Sequence, residues 1–168
     1  MKIIFTDILN QWANCWVEAI LAGILFMLAV MQINRILSRQ KPSVILLFVD
    51  GVFLYYLLYV TLFMRSIGFR REIELIPFIN SELMNGDFHY VIENVLLFVP
   101  FGILLYKTLH AYGRKCNMRT ILIAAFLTSL SVELLQYAFS CGKSEADDII
   151  TNVLGAVIGY MIICKKSN

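Results

Sequence analysis

The sequence predicts an all-α membrane protein, a polytopic bundle of about five transmembrane helices. Hydrophobic residues make up 60% of the 168 residues, and charged residues make up only 15%. The mean hydropathy is +0.75. A soluble core of this size cannot bury so many apolar side chains, whereas a bilayer surrounds them with hydrocarbon. We therefore interpret residues 1–168 as a single integral membrane domain.

Five apolar stretches are the candidate spans. A transmembrane helix needs about 20 mostly apolar residues, and the first, second and fourth stretches reach this length. The third and fifth are short, so we expect them to be tilted, to be re-entrant, or to span with the help of flanking polar residues. Pro100 and Gly102 are expected to interrupt the third. The stretches are residues 12–33, 44–64, 91–106, 120–139 and 149–164.

Basic residues predict the orientation of the chain. They follow the first and third stretches and also lie at the C-terminus. These three places share one side of the membrane if all five stretches span. The positive-inside rule makes that side cytoplasmic, so we expect the N-terminus outside and the C-terminus inside. The arginines between the second and third stretches, Arg65, Arg70 and Arg71, argue against this orientation. The basic residues that support it are Arg35, Arg39, Lys41, Lys107, Arg114, Lys115, Arg119, Lys165 and Lys166.

Polar side chains enter three of the stretches from the predicted outer side. A carboxylate within a span costs a few kcal/mol or more and is a candidate functional residue. The pairs Glu133/Gln136 and Asp148/Asn152 have helical spacing, so each pair shares one helix face. We therefore predict a polar pocket that faces outward. Its candidate residues are Glu93, Asn94, Glu133, Gln136, Asp148 and Asn152, with Asp147 in support.

Several of these residues have a plain structural alternative. Asp147 and Asp148 begin a helix, where acids cap the first turn and interact with its dipole, and Glu93 and Asn94 lie in a similar position. Glu133 lies deeper, so a partner such as Arg65, Arg70 or His89 is another way to satisfy its charge. Asp50, within the second stretch, is expected to bond to a neighbour or mark a helix contact.

Gly155 and Gly159 form a small-xxx-small pattern in the fifth stretch. Such a pattern permits close helix approach within the bundle or between protomers. We favour contact within the bundle, and leave an oligomer open. The aromatic residues are expected to be interfacial or packing residues; they are Trp12, Trp16, Tyr55, Tyr56, Tyr59 and Tyr137.

Signatures of catalysis and of metal binding are missing from the sequence. No GxSxG, HExxH or phosphate-binding loop is present, so enzymatic activity is uncertain and we favour its absence. Four cysteines and two histidines show no ligand spacing, so we predict no metal and no cofactor. Cys15 and Cys141 lie toward the same side and a disulfide between them is open. The net charge of +2 disfavours nucleic-acid binding.

Three motifs, in order, resemble the VanZ family. They are ENVLLFVPFGILL from Glu93, VELLQYAF from Val132 and DDIITNVLGAVIGY from Asp147, preceded by LIPF with Pro77. The resemblance covers residues 75–160. Positions that match the family motifs are Asn94, Pro100, Gly102, Glu133, Gln136, Asp148, Asn152 and Gly155. Many relatives carry an arginine after the fourth helix, where this chain has Lys143 in the loop.

The resemblance implies a protein of the bacterial plasma membrane that is linked to resistance to teicoplanin and related lipoglycopeptides. The partner that we expect at the polar pocket is the antibiotic itself or a lipid-linked cell-wall precursor. A membrane enzyme that acts on a lipid carrier and a small oligomeric transporter remain alternatives, because family membership fixes no reaction.

Overall fold

The computed structural model describes residues 2–37, 43–64, 73–74, 89–141 and 144–167, and in these ranges the predicted helical bundle is confirmed. Two short strands, which are additional to the predicted all-α fold, pair in parallel through Ile73 and Ser144. The elements are α1 (Lys2–Leu37), α2 (Val44–Leu58) with a π-helical turn (Tyr59–Phe63), β1 (Ile73–Glu74), α3 (His89–Ala111), α4 (Met118–Phe139), β2 (Ser144–Glu145) and α5 (Ala146–Ser167).

All five helices are long and apolar enough to cross a membrane. The third and fifth apolar stretches were expected to be short, but flanking polar residues extend both helices. The candidate spans there are His89–Ala111, of 23 residues, and Ala146–Lys165, of 20 residues. Of the three expected arrangements, spanning with the help of polar flanks therefore fits. The protein is a multi-pass membrane protein.

The expected interruption at Pro100 is absent. Pro100 lies inside α3, which remains helical from His89 to Ala111. Proline removes one backbone donor and crowds the preceding turn, but packing on both sides can hold such a helix together. Here Phe98 is completely buried on one face, and the neighbouring Gly102 is buried against α5.

Glycines allow the backbones of α3 and α5 to come into direct contact. A Cβ atom on Gly155 would overlap the carbonyl group of Val95, and one on Gly159 would overlap that of Val99. In the opposite direction, a Cβ atom on Gly102 would overlap the carbonyl of Ala156. Small residues allow this approach, and close packing is a main source of helix association in a bilayer. The glycine pattern thus serves contact within the bundle, as favoured from the sequence.

A small apolar core joins α2, α3, α4 and α5. Its members are fully or almost fully buried, while many other large apolar side chains are exposed, as expected where lipid replaces water. Local signals fix the ends of α4: Asn117 accepts a hydrogen bond from the Thr120 backbone N–H at 2.9 Å, and Ser140 ends the helix in the left-handed conformation. The core residues are Leu57, Phe98, Ile121, Ala125, Val132 and Ala156.

The four cysteines are free thiols, so Cys15 and Cys141 do not form a disulfide. Both of these side chains are buried. Cys116 lies between α3 and α4, outside the spans, where burial and the nearby Cys164 raise the pKa of its thiol. A raised pKa keeps this thiol protonated and poorly reactive at neutral pH.

Replacing Gly159 by Ala tests the close contact of α3 and α5. Alanine normally stabilises a helix interior by about 1 kcal/mol relative to glycine. Here the added methyl group meets the Val99 carbonyl, which belongs to a helix backbone and cannot rotate away. We expect a net loss of about 1–3 kcal/mol, measured as a lower thermal midpoint in detergent. Leu154→Met, at an exposed position of the same helix, is the matched control and should leave the midpoint unchanged.

Candidate functional site

Predicted polar residues of three helices meet at one end of the bundle. At this end, which we name the polar end, α2 and α4 finish and α3 and α5 begin. Asn94 of α3 donates a hydrogen bond from Nδ2 to Oδ1 of Asp148 in α5, at 2.7 Å. An amide that donates to a carboxylate makes a charge-assisted bond, stronger than one between neutral groups. The polar end is therefore a bonded unit that links two helices.

Glu133 is a buried acid at the polar end, with 4% of its surface exposed. Its Oε2 atom accepts a hydrogen bond from the backbone N–H of Glu145 at 3.1 Å. Glu145 lies in β2, directly before α5, so the carboxyl group of α4 secures the connection that leads into α5. Of the partners suggested from the sequence, Arg65 and Arg70 lie outside the described residues, and His89 begins α3.

Gln136 contacts the π-helical turn of α2. Its Nε2 atom donates to the backbone carbonyl of Thr61 at 2.9 Å, and its side chain is almost completely buried. The Thr61 hydroxyl in turn donates to the Leu57 carbonyl at 2.8 Å. A π-helical turn shifts the regular backbone pairing, and such turns occur often at functional sites. Gln136 thus ties the end of α2 to α4.

Asn152 lies deeper, in the interface of α4 and α5. Its Nδ2 atom donates to the hydroxyl of Ser129 at 2.9 Å, and both side chains are buried. Two buried oxygens, Gln136 Oε1 and Asn152 Oδ1, have no hydrogen-bond partner among the described residues. An unpaired buried acceptor costs about 1–3 kcal/mol. A donor brought to either oxygen would therefore be bound favourably.

The first turn of α5 carries Asp147 and Asp148, the arrangement that the helix dipole favours. Thr151 donates from its hydroxyl to the backbone carbonyls of Asp147 at 2.9 Å and Asp148 at 3.1 Å. Asp148 also receives the Asn94 bond, so one residue serves both the helix terminus and the interhelical contact. The position of Asp148 in a first helical turn is confirmed, and its place in a binding pocket stays a prediction.

A cavity of about 650 Å³ lies between α2 and α3 and reaches the polar end. Most of its polar lining lies where α2 ends and α3 begins, and its remaining walls are mainly aliphatic and aromatic. Ligand pockets of about 300–1,000 Å³ with a few placed polar groups are typical of small-molecule sites. The polar lining residues are Tyr56, Thr61, Tyr90, Glu93 and Asn94.

The cavity divides the predicted site residues into two groups. Glu93 and Asn94 line it, whereas the described lining does not include Glu133, Gln136, Asp148 and Asn152, which make the hydrogen bonds given above. A capping role was one of the two explanations of Glu93 from the sequence, and its position on the cavity wall gives it a surface that a ligand can reach. Tyr56 and Thr61 were missed as lining residues, because aromatic and hydroxyl side chains within a span carry no signal of their own.

Asp50 marks the opposite end of the cavity. Its Oδ2 atom accepts a hydrogen bond from the Thr108 hydroxyl at 2.6 Å, which joins α2 to α3. Leu104, one helical turn before Thr108, lines the cavity. The expectation that Asp50 marks a helix contact is confirmed.

Among the residues that the structure describes, no group of three His, Cys, Asp or Glu side chains is arranged to hold a metal ion. Lys143 and Pro77, which the sequence analysis also singled out, lie outside the described ranges.

Comparison with known proteins identifies the family. A family model described as VanZ/LLP1 matches residues 19–166, which is most of the chain. The chain belongs to the VanZ/LLP1 family. It is 30% identical over 129 residues to Protein VanZ of Enterococcus faecium, an alignment that covers 77% of this chain and 74% of that protein. No solved structure matches the chain significantly.

The VanZ/LLP1 match extends further than the motifs recognised in the sequence. Those motifs lie within residues 75–160, whereas the match also takes in the second half of α1 and all of α2. The cavity is formed between α2 and the motif-bearing α3, so both of its walls belong to the part of the chain that is characteristic of the VanZ/LLP1 family.

A double-mutant cycle on Asn94 and Asp148 tests the bond at the polar end. Asn94→Ala and Asp148→Ala should be coupled by about 1–3 kcal/mol in the free energy of unfolding, because each change alone removes the same charge-assisted bond. Chemical or thermal unfolding in detergent measures the coupling. The matched control pairs Asn94→Ala with Asp147→Ala, which should be additive. Additivity in the first cycle would contradict the bond.

Proposed function

We propose that this protein lowers the susceptibility of a bacterial cell to teicoplanin and related lipoglycopeptides by binding a ligand at the polar end. The observation that carries the proposal is the cavity between α2 and α3, with Glu93 and Asn94 on its wall. The bond from Asn94 to Asp148 holds that wall against α5. Membership of the family that includes Protein VanZ supports the link to resistance.

Of the two ligands expected from the sequence, we favour the antibiotic, because the family resemblance implies resistance to it. A lipoglycopeptide offers amide, hydroxyl and amine donors to Glu93 and Asn94 and a lipid chain to the apolar walls.

Enzymatic turnover and transport are the alternatives that we favour less. The sequence carries none of the catalytic motifs considered above, and the polar groups of the cavity wall among the described residues are an amide, hydroxyls and one carboxyl group. Ligand binding is sufficient to explain why these polar groups line the cavity. We therefore propose a binding protein that intercepts the antibiotic at the outer leaflet.

Substitutions on the cavity wall test the proposed function. Glu93→Gln keeps the shape of the side chain and removes its charge, and Asn94→Leu removes the amide. Loss of one charge-assisted contact weakens binding by about tenfold or more, so we expect teicoplanin susceptibility to return toward that of cells without the protein. Growth inhibition at graded antibiotic concentrations is the measurement.

The control for this experiment is Ile92→Leu, at an exposed neighbour in α3 that does not line the cavity. The amount of each variant in the membrane must match that of the unmodified protein. If both wall variants protect cells as well as the unmodified protein at equal abundance, the proposed site is wrong.

The proposal also requires the polar end to face outward. We propose an outer N-terminus and a cytoplasmic C-terminus, supported by the basic residues that follow α1 and α3. In a cysteine-free variant, Gly86→Cys should react with a membrane-impermeant maleimide in intact cells. Lys115→Cys, between α3 and α4, should react only after permeabilisation. The reverse pattern would turn the polar end toward the cytoplasm and exclude interception at the outer leaflet.

A further inference from the structure

We infer that Glu18, Tyr55 and Tyr59 form a second binding site, on the lipid-facing side of α1 and α2, for the primary ammonium head group of a membrane lipid. We name these three residues the ammonium site. It is separate from the cavity between α2 and α3, whose described lining includes none of the three. The inference therefore goes beyond the proposed function and does not depend on it.

Glu18 is an acid on the lipid-facing surface of a candidate span. It lies near the start of the span Cys15–Asn34, and it is exposed. Leu21 and Leu25 follow it on the same face of α1 and are exposed at 56% and 68% of their surfaces. Among the residues that the structure describes, Glu18 makes no hydrogen bond and no ion pair. A carboxylate in this position is a candidate functional residue, and its charge attracts a cation.

The packing of α1 on α2 places the two tyrosines beside Glu18. A Cβ atom on Gly23 would lie 2.6 Å from Cγ2 of Val52, so the two helices are in close contact at this level. Consecutive spans cross a membrane in opposite directions, and each helical residue rises by about 1.5 Å. Counted away from this contact, Glu18 lies at a level between those of Tyr55 and Tyr59. The charge of Glu18 is close enough to the Tyr55 hydroxyl to interact with it.

The tyrosine pair adds an aromatic surface to the ammonium site. The ring centroids of Tyr55 and Tyr59 are 6.1 Å apart and the ring planes are inclined by 21°, so the two rings are stacked. Both residues are partly exposed. The face of an aromatic ring attracts an ammonium group, and the attraction is stronger where water is excluded. Tyrosine is also enriched at the boundary between membrane and water, where lipid head groups lie.

A carboxylate beside aromatic rings matches a primary ammonium group. The N–H donors of such a group can bond to Glu18, while its positive charge interacts with the tyrosine rings. A trimethylammonium group keeps the charge but has no donor, and a glycerol head group has donors but no positive charge. The exposed leucines that follow Glu18 on α1 lie in the hydrocarbon, where the acyl chain of the same molecule can contact them. The position and the charge together therefore indicate an ammonium lipid.

Native mass spectrometry of the full chain in detergent tests this inference. The protein is titrated with phosphatidylethanolamine, phosphatidylcholine and phosphatidylglycerol that have identical acyl chains. All three lipids carry a phosphate, so they differ only in the group that would meet Glu18. We expect the first phosphatidylethanolamine to bind about tenfold more tightly than phosphatidylglycerol and severalfold more tightly than phosphatidylcholine, because loss of one charge-assisted contact weakens binding by about this factor.

Variants assign the lipid preference to the ammonium site. Glu18→Gln keeps the shape of the side chain and removes its charge, so the affinities for phosphatidylethanolamine and phosphatidylglycerol should become about equal. Tyr59→Leu removes one ring and should weaken phosphatidylethanolamine binding severalfold. Trp16→Leu is the matched control, because it removes an exposed ring at a similar depth from another face of α1 and should leave the preference unchanged. The thermal midpoint of each variant shows whether it is folded.

Either of two results would overturn the inference. One is that phosphatidylglycerol or phosphatidylcholine binds the unmodified protein as tightly as phosphatidylethanolamine does. The other is an unchanged preference in folded Glu18→Gln or, if that variant does not fold, in folded Tyr59→Leu. The susceptibility experiment on Glu93 and Asn94 concerns the cavity alone. The ammonium site and the proposed function can therefore fail separately, and the two experiments show which of them has failed.

Discussion

The contact between α3 and α5 is the constraint on which the other features of the polar end depend. Gly102, Gly155 and Gly159 let the two backbones approach to a distance that any side chain would prevent. At this distance the short side chains of Asn94 and Asp148 can bond directly. Lipid supplies no hydrophobic force between helices, so packing and polar contacts of this kind hold them together. The glycines thereby fix the cavity wall on α3.

Helix ends satisfy most of the buried polar groups. Glu133 accepts from the backbone before α5, and Gln136 donates to the carbonyl of Thr61 in the π-helical turn. Within a bilayer, water is not available to bond these backbone groups, so the side chains of α4 supply the hydrogen bonds instead. The most deeply buried motif residues therefore shape the site, while the less buried Glu93 and Asn94 present groups to its interior.

The sequence predicted the helices and the convergence of their polar residues, because hydropathy and helical spacing depend only on residues that are close together in the chain. It placed Asn94 near Asp148 and Asp50 at a helix contact, and both placements agree with the structure. The extent of α3 was missed, since hydropathy underweights polar flanks and cannot show that packing sustains the helix through Pro100. The cavity and the π-helical turn arise from the relative position of α2, which no local pattern encodes.

The pairing of β1 with β2 has a consequence for how the chain is assembled. Residues 73 and 144 meet only after the two intervening helices have been synthesised. Three side chains likewise bond to residues that are synthesised later. Asn94 bonds to Asp148, Glu133 to the backbone of Glu145, and Ser129 to Asn152. Until α5 arrives, the nascent chain carries carboxyl and amide groups in hydrocarbon without these partners, an unfavourable state. Insertion of α5 is therefore the step that completes the bundle. A chain that stops before α5 differs from a finished one because its polar groups lack these partners.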